Sequence, residues 1–262
     1  MSSVIETHEL TKRFGKLVAV DHVNLSVMRG EIFGFLGPNG AGKSTVMRML
    51  ATLSVPTEGT ATVEGYDIVE QADQVRKLIG MVAEKLILYP RLTAVENLRF
   101  FGQLYGLNGI ELKQRVEELL RMVQLERFKD MPVGGYSSGM RQRLNIVRGL
   151  LHDPDILFMD EPTALLDPQS VSFVRNMIKD LNKEGKTVVL TTHIMEEADR
   201  LSHRIGIIDH GKIIATDTPQ NLKMKSNSET LEDVFLELTG RTLRDSASNQ
   251  VSMRAIVPRV YG

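Results

Sequence analysis

Apolar and polar positions along this chain follow two periods in turn. Near the start, "VAVDHVNLSV" and "EIFGFLG" carry short alternating or unbroken apolar stretches, so residues 1–35 read as strands. "GKSTVMRMLATL" then takes helical spacing, and "IGMVA" at residues 79–83 is again a strand. Beyond it the pattern turns mainly helical. Thr93 and Glu96 have the spacing of a capping box, Gly106 sits where a helix would stop, and Val116, Leu119, Leu120 and Val123 form one apolar stripe. A third helix starts near Ser137 and turns Leu144, Val147 and Leu151 inward.

From Asp155 buried strands return. "DILFMD" and "KTVVLTTH" are strands, with "PQSVSFVRNMIKDLNKEG" between them as a helix closed by Gly185. "RIGIIDHGKIIATD" reads as a hairpin turning around His210 and Gly211. Leu231, Val234, Phe235 and Leu238 form a last helical face, capped by Gly240. Strands alternating with helices predict an α/β fold on a mostly parallel sheet. The helical block at about 85–151 interrupts that sheet as an inserted subdomain. Residues 241–262, with four arginines and one aspartate, read as a mobile basic tail.

Composition narrows the function. A chain of 262 residues, 42% apolar and 25% charged, suits one large globular domain with subdomains. A net charge of −1 argues against a nucleic-acid partner, which asks for a basic footprint. There is no cysteine, which excludes disulfides and thiolate metal sites. The start "MSSVIETHEL" does not have the character of a signal peptide, and no apolar run reaches the roughly 18–20 residues of a membrane span. A cytoplasmic location is expected, with any membrane role exerted through a partner.

The chemistry concentrates in four places. "GPNGAGKST" comprises Gly37, Pro38, Asn39, Gly40, Ala41, Gly42, Lys43, Ser44 and Thr45, and fits G-x-x-x-x-G-K-[ST] between an apolar strand and a helix. Glycines let the backbone wrap a phosphate, and the helix amino terminus adds free amides and partial positive charge. Lys43 would bind β- and γ-phosphates, and Ser44 would hold Mg²⁺. "ILFMDE" carries Asp160 and Glu161 to the carboxyl end of a buried strand, the ligand edge of an open parallel sheet. There Asp160 would bind Mg²⁺ and Glu161 would polarise the attacking water. His193 ends another apolar strand and should emerge at the same edge, where it would bond the γ-phosphate or orient the water. "GGYSSGMRQRL" is a second stretch of free amides opening into a helix, but without a lysine. Asp167 before Pro168 is a helix N-cap.

These motifs in this order resemble the nucleotide-binding subunit of an ABC transporter, over roughly residues 4–222. The resemblance rests on "GPNGAGKST", the signature-like "YSSGM", "ILFMDE", "EPTALLDP" and "TTH". It implies a P-loop NTPase (RecA-like) core with an N-terminal antiparallel β subdomain and an inserted helical subdomain. An ATPase domain would span residues 1–222, followed by a helix and tail at 223–262. It implies ATP and Mg²⁺ as ligands, and head-to-tail pairing of two such subunits. Ser137, Ser138 and Gly139 would then cap the γ-phosphate held by the other subunit, whose own Lys43 makes a second lysine unnecessary. Phe14 stands where the family stacks an aromatic ring on adenine; a core phenylalanine is the other reading. The helical block would receive the coupling helix of a membrane-spanning permease.

Some positions depart from the family pattern. Tyr136, Ser138 and Met140 replace signature residues, Leu165 stands where glycine is usual, and Glu84 takes the place of the glutamine that helps hold the metal. DNA-repair relatives carry long coiled coils and translation-associated relatives two cassettes, and neither is present here. "LYPRLTAVENL", "YSSGMRQRL" and "TLEDVFLELTGR" look most like the ATPase of type-2 exporters, with an importer ATPase as the alternative.

Overall fold

The computed structural model of the chain describes residues 2–240. Two long strands, β1 (Ser3–Phe14) and β2 (Leu17–Met28), form a hairpin, and β3 (Ile32–Leu36) follows with every residue buried. After α1 (Lys43–Leu50) the chain makes β4 (Glu58–Val63), the short β5 (Tyr66–Asp67), α2 (Ala72–Leu78) and β6 (Ile79–Val82). Three helices come next: α3 (Ala94–Leu104), α4 (Gly109–Met122) and α5 (Ser138–Gly149). The remaining elements are β7 (Ile156–Asp160), α6 (Pro168–Lys183), β8 (Thr187–Thr192), α7 (Met195–Leu201), β9 (Arg204–Asp209), β10 (Lys212–Asp217), α8 (Pro219–Lys225) and α9 (Leu231–Thr239).

Two sheets result. One is antiparallel, in the order β2-β1-β4-β5; the other runs β10-β9-β3-β8-β7-β6 and is parallel except at the β9–β10 hairpin. The strand period of two sorts the central strands between two cores. Phe33, Phe35, Phe158 and Val189 face α1 and the antiparallel sheet, together with Val46 and Met47. Leu157, Met159, Val188 and Leu190 face the opposite side, where α3 to α6 contribute Leu98, Leu119, Leu144 and Ile178. An α/β core with an antiparallel sheet at one side and helices inserted between β6 and β7 is therefore the observed class.

Local chemistry explains several boundaries. Thr93 accepts from Glu96 N while the Glu96 carboxylate accepts from Thr93 N, so both ends of the capping box are made. Asp167 accepts from Ser170 N at 3.0 Å and Pro168 opens α6. His210 and Gly211 have φ of 46° and 79°, the left-handed pair that a two-residue hairpin turn requires. The last helix departs from its sequence pattern at one place: Leu231, Val234 and Phe235 are buried, whereas Leu238 is 41% exposed. The basic tail expected at 241–262 lies outside the described residues.

Candidate nucleotide site

Register brings the site together. In the parallel sheet Leu36 of β3 pairs with Thr192 of β8, and Asp160 of β7 pairs with Thr191. The loop after β3, the Asp160–Glu161 pair and His193 therefore leave the sheet side by side at its carboxyl edge. This is the crevice where open α/β sheets take ligands.

The loop from Gly37 to Gly42 is braced from outside. Gly211 N donates to Ala41 O at 2.9 Å, and Asp21 N donates to Gly211 O at 2.9 Å, tying the loop to the β9–β10 turn and to β2. Gly42 has φ 109°, which a side chain would strain, and a Cβ there would press on Ala19 O. No side chain caps α1, so its first amides stay open toward the loop. Lys43 is buried and curls back over the loop, with Nζ donating to Gly37 O at 2.7 Å and Pro38 O at 3.1 Å. Its Nζ also lies 3.5 Å from Glu161 Oε1. Burial pushes the Lys43 ammonium below its ordinary range, partly countered by Glu161, Asp160 and Glu84.

Asp160 is fixed through one oxygen. Ser44 Oγ and Thr191 Oγ1 both donate to its Oδ1, at 2.8 and 2.6 Å. Glu161 stands in the left-handed region at φ 49°, and its backbone N–H is held by Thr191 through both Oγ1 and the carbonyl oxygen. A non-glycine residue held there stores strain, a common mark of a working site. Its Oε2 lies 2.9 Å from His193 Nδ1, while Oε1 is buried with no hydrogen-bond partner. The Glu161 carboxylate beside it raises the His193 imidazole above its ordinary pKa, against a smaller opposing effect of burial.

The second amide-rich stretch lies on α5. Ser137 caps that helix by accepting from Met140 N at 3.2 Å, and Ser138 beside it is exposed. Gly139 is buried against the first turn of α6, where a Cβ would collide with Ser170. Ser170 is itself bonded to Asp167, so the signature rests on the turn that Asp167 caps. Tyr136 is buried and donates its hydroxyl to Phe128 O at 2.7 Å, a peg within the helical subdomain.

Two expected residues sit apart from this group. Phe14 is 54% exposed, which removes the core reading; it ends β1 opposite Leu17, with Lys12 Nζ 5.2 Å from its ring centroid. Glu84 is exposed in the loop after β6, close enough for its charge to act on Lys43.

The structure adds residues that motif reading passes over. Thr191 anchors both carboxylate residues. Gln142 of α5 donates to Pro162 O at 2.8 Å, tying the signature helix to the backbone after Glu161. Neither stands out in the sequence: β8 holds Thr187, Thr191 and Thr192, and Gln142 is one of several polar residues on α5.

A braced glycine loop after β3, its lysine, and an Asp-Glu pair at the end of β7, one strand further across the same sheet edge, define a P-loop nucleotide-binding site. Residues 20–164 match the family model described as ABC transporter, and the chain belongs to that family. It is 43% identical over 241 residues to the probable multidrug ABC transporter ATP-binding protein YbhF of Escherichia coli, an alignment covering 90% of this chain but only 42% of that protein. It is 43% identical over 222 residues to the Nod factor export ATP-binding protein I of Cupriavidus metallidurans, covering 85% and 73% of the two chains. Among solved structures, the dimeric post-hydrolysis state of the cassette MJ0796, bound to ADP and Pi, superposes with a TM-score of 0.74 at 31% identity, covering 82% of this chain and 98% of that one.

Proposed function

We propose that this chain is the ATP-hydrolysing subunit of an exporter, working as a head-to-tail dimer on a separate membrane-spanning permease. The observation that carries the reading is the triangle of Lys43, Glu161 and His193, with Ser44 and Asp160 joined beside it. Lys43 would trade its two loop carbonyls for β- and γ-phosphate oxygens, with the loop amides filling the remaining acceptors. Glu161 Oε1, buried, without a hydrogen-bond partner and 3.5 Å from Lys43 Nζ, is the atom that would accept a proton from the attacking water. His193 would hold the other oxygen and so fix which face of the carboxylate meets the water.

Mg²⁺ fits the donor set, since a hydroxyl and a carboxylate are the hard oxygens it prefers. Ser44 and Asp160 would hold it, with Glu84 as a further candidate ligand from the loop after β6. The ion would neutralise phosphate charge; orientation of the water belongs to the protein.

Ser137, Ser138 and the amides of α5 would cap the γ-phosphate bound by the second copy. ADP lacks that group and gives little preference for the closed pair, so hydrolysis would release it. The dimeric state of the MJ0796 cassette supports this arrangement. Among the described residues no helix is long and apolar enough to cross a membrane. Ile87, Tyr89 and Phe100 are exposed apolar side chains on the loop after β6 and on α3, a surface suited to a permease helix at the cytoplasmic face of the membrane. The reading of export as the direction is supported by the name of the Nod factor export relative.

Purification of the chain from membranes in mild detergent tests the reading. Co-purification of a multi-span protein, with ATPase activity lost in Lys43→Ala, is expected. Recovery of the chain with ribosomes or DNA instead would overturn it.

A further inference from the structure

Glu197 is fully buried on α7, and none of the roles above uses it. A buried carboxylate is costly unless donors surround it. Here both oxygens are engaged: Oε1 accepts from Thr163 Oγ1 at 2.6 Å, and Oε2 accepts from Thr192 Oγ1 at 2.7 Å. Arg175 Nε, on α6, lies 3.7 Å from Oε1. Thr163 follows Glu161 on the loop after β7, and Thr192 immediately precedes His193 at the end of β8. Thr192 Oγ1 in turn accepts from Ile194 N at 3.0 Å, so the chain on both sides of His193 is held.

One carboxylate thus ties together the two segments that carry Glu161 and His193. Attachment of α7 to the sheet does not require it, because Ala198 and Leu201 of the same helix are already buried among the sheet's apolar residues. The two threonines face Glu197 from different segments; His193, next to Thr192, and Glu161, two residues before Thr163, make the 2.9 Å contact.

We infer that Glu197 is a positioning residue for ATP hydrolysis, holding Thr163 and Thr192 at the separation that seats His193 against Glu161. The inference rests on the roles proposed above for those two residues. Because Arg175 stands on α6, whose first turn packs on Gly139, the same carboxylate also links the hydrolytic edge to the helix supporting the signature.

The test uses the full chain and steady-state ATPase. Glu197→Gln keeps the size but turns one oxygen into a donor, leaving one threonine hydroxyl without its acceptor. The expected result is a kcat lower by roughly tenfold to a hundredfold, with KM for ATP within about twofold, because Lys43 and Ser44 are untouched. Thr163→Val and Thr192→Val should each lower kcat, Thr→Ser at either position should restore it, and the double Val variant should lose less than the product of the two. That shortfall is the mark of two groups acting through one partner. A purely structural carboxylate would lower the melting temperature and leave kcat and KM at wild-type values, which overturns the inference. Should Glu197→Gln fail to fold, wild-type kcat in both Val variants overturns it equally. Glu161→Gln measured alongside separates the two readings. Normal hydrolysis in that variant removes the catalytic assignment itself, whereas its loss with normal Glu197→Gln and Val variants removes only the positioning role.

Discussion

Glu161 presents its two oxygens to different neighbours: Oε2 meets His193 Nδ1 at 2.9 Å, and Oε1 faces Lys43 Nζ at 3.5 Å with no hydrogen-bond partner. Under the proposed function, this asymmetry would give one oxygen a holding role and leave the other for a water.

Replacing the carboxylate by an amide tests that division. Glu161→Gln should bind ATP with near-normal affinity and hydrolyse it slower by about 10²-fold or more, the range of a lost general base. ATP held without turnover should also accumulate a dimer, measured by light scattering. Wild-type turnover would mean that another group handles the water.

The Glu161–His193 contact also predicts a pH dependence of stability. The imidazole pKa is raised in the folded chain, so the contact stabilises fully below the ordinary value of 6.5 and fades as pH climbs through the raised one. The melting temperature lost on His193→Gln should therefore be larger at pH 6 than at pH 9. Equal losses at the two values would show that the histidine is not charged against Glu161.

Capping in trans has a separate test. Ser137→Arg places bulk at the head of α5 and should spare ATP binding to its own subunit while abolishing ATPase. Mixed with Lys43→Ala subunits, it leaves one composite site of the pair intact, so activity should reappear. Wild-type activity in each variant alone would contradict head-to-tail pairing.

Glu84 carries the last prediction. It is exposed, with its charge felt at Lys43, near the place of an anionic γ-phosphate. Like-charge repulsion should hold it off in the isolated subunit, so Glu84→Gln should raise basal ATPase at neutral pH. A fall at saturating Mg²⁺ and ATP would instead show the carboxylate to be a metal ligand.

Much of this could be read from the chain itself, for a physical reason. The loop at Gly37–Thr45 and the strands ending in Asp160 and Thr192 are local patterns, in which the residues that signal the element also build it. β4, β5 and α2, between residues 52 and 78, show no strong period because they are short and half-exposed. Phe14 could be read as buried or exposed, since only the pairing of β1 with β2 decides which way a hairpin tip points. The hidden part is the set of ties across the fold. Thr191 to Asp160, Gln142 to Pro162 and Glu197 to Thr163 join residues whose meeting depends on sheet register and helix packing, and spacing along the chain carries no trace of that.

The bond from Gln142 to the Pro162 carbonyl ties the helix that opens at Ser138 to the peptide beside Glu161, so under the proposed function it would act as a lever with its short arm at the hydrolytic carboxylate. It is buried, so breaking it without replacement costs about 1–3 kcal/mol, roughly two to five times thermal energy. A tilt of the helical lobe must either carry the backbone after Glu161 along or meet that cost. Mechanical load applied at the lobe would thereby be felt one peptide away from the carboxylate, and a change in the carboxylate's seat would be felt in return at the lobe.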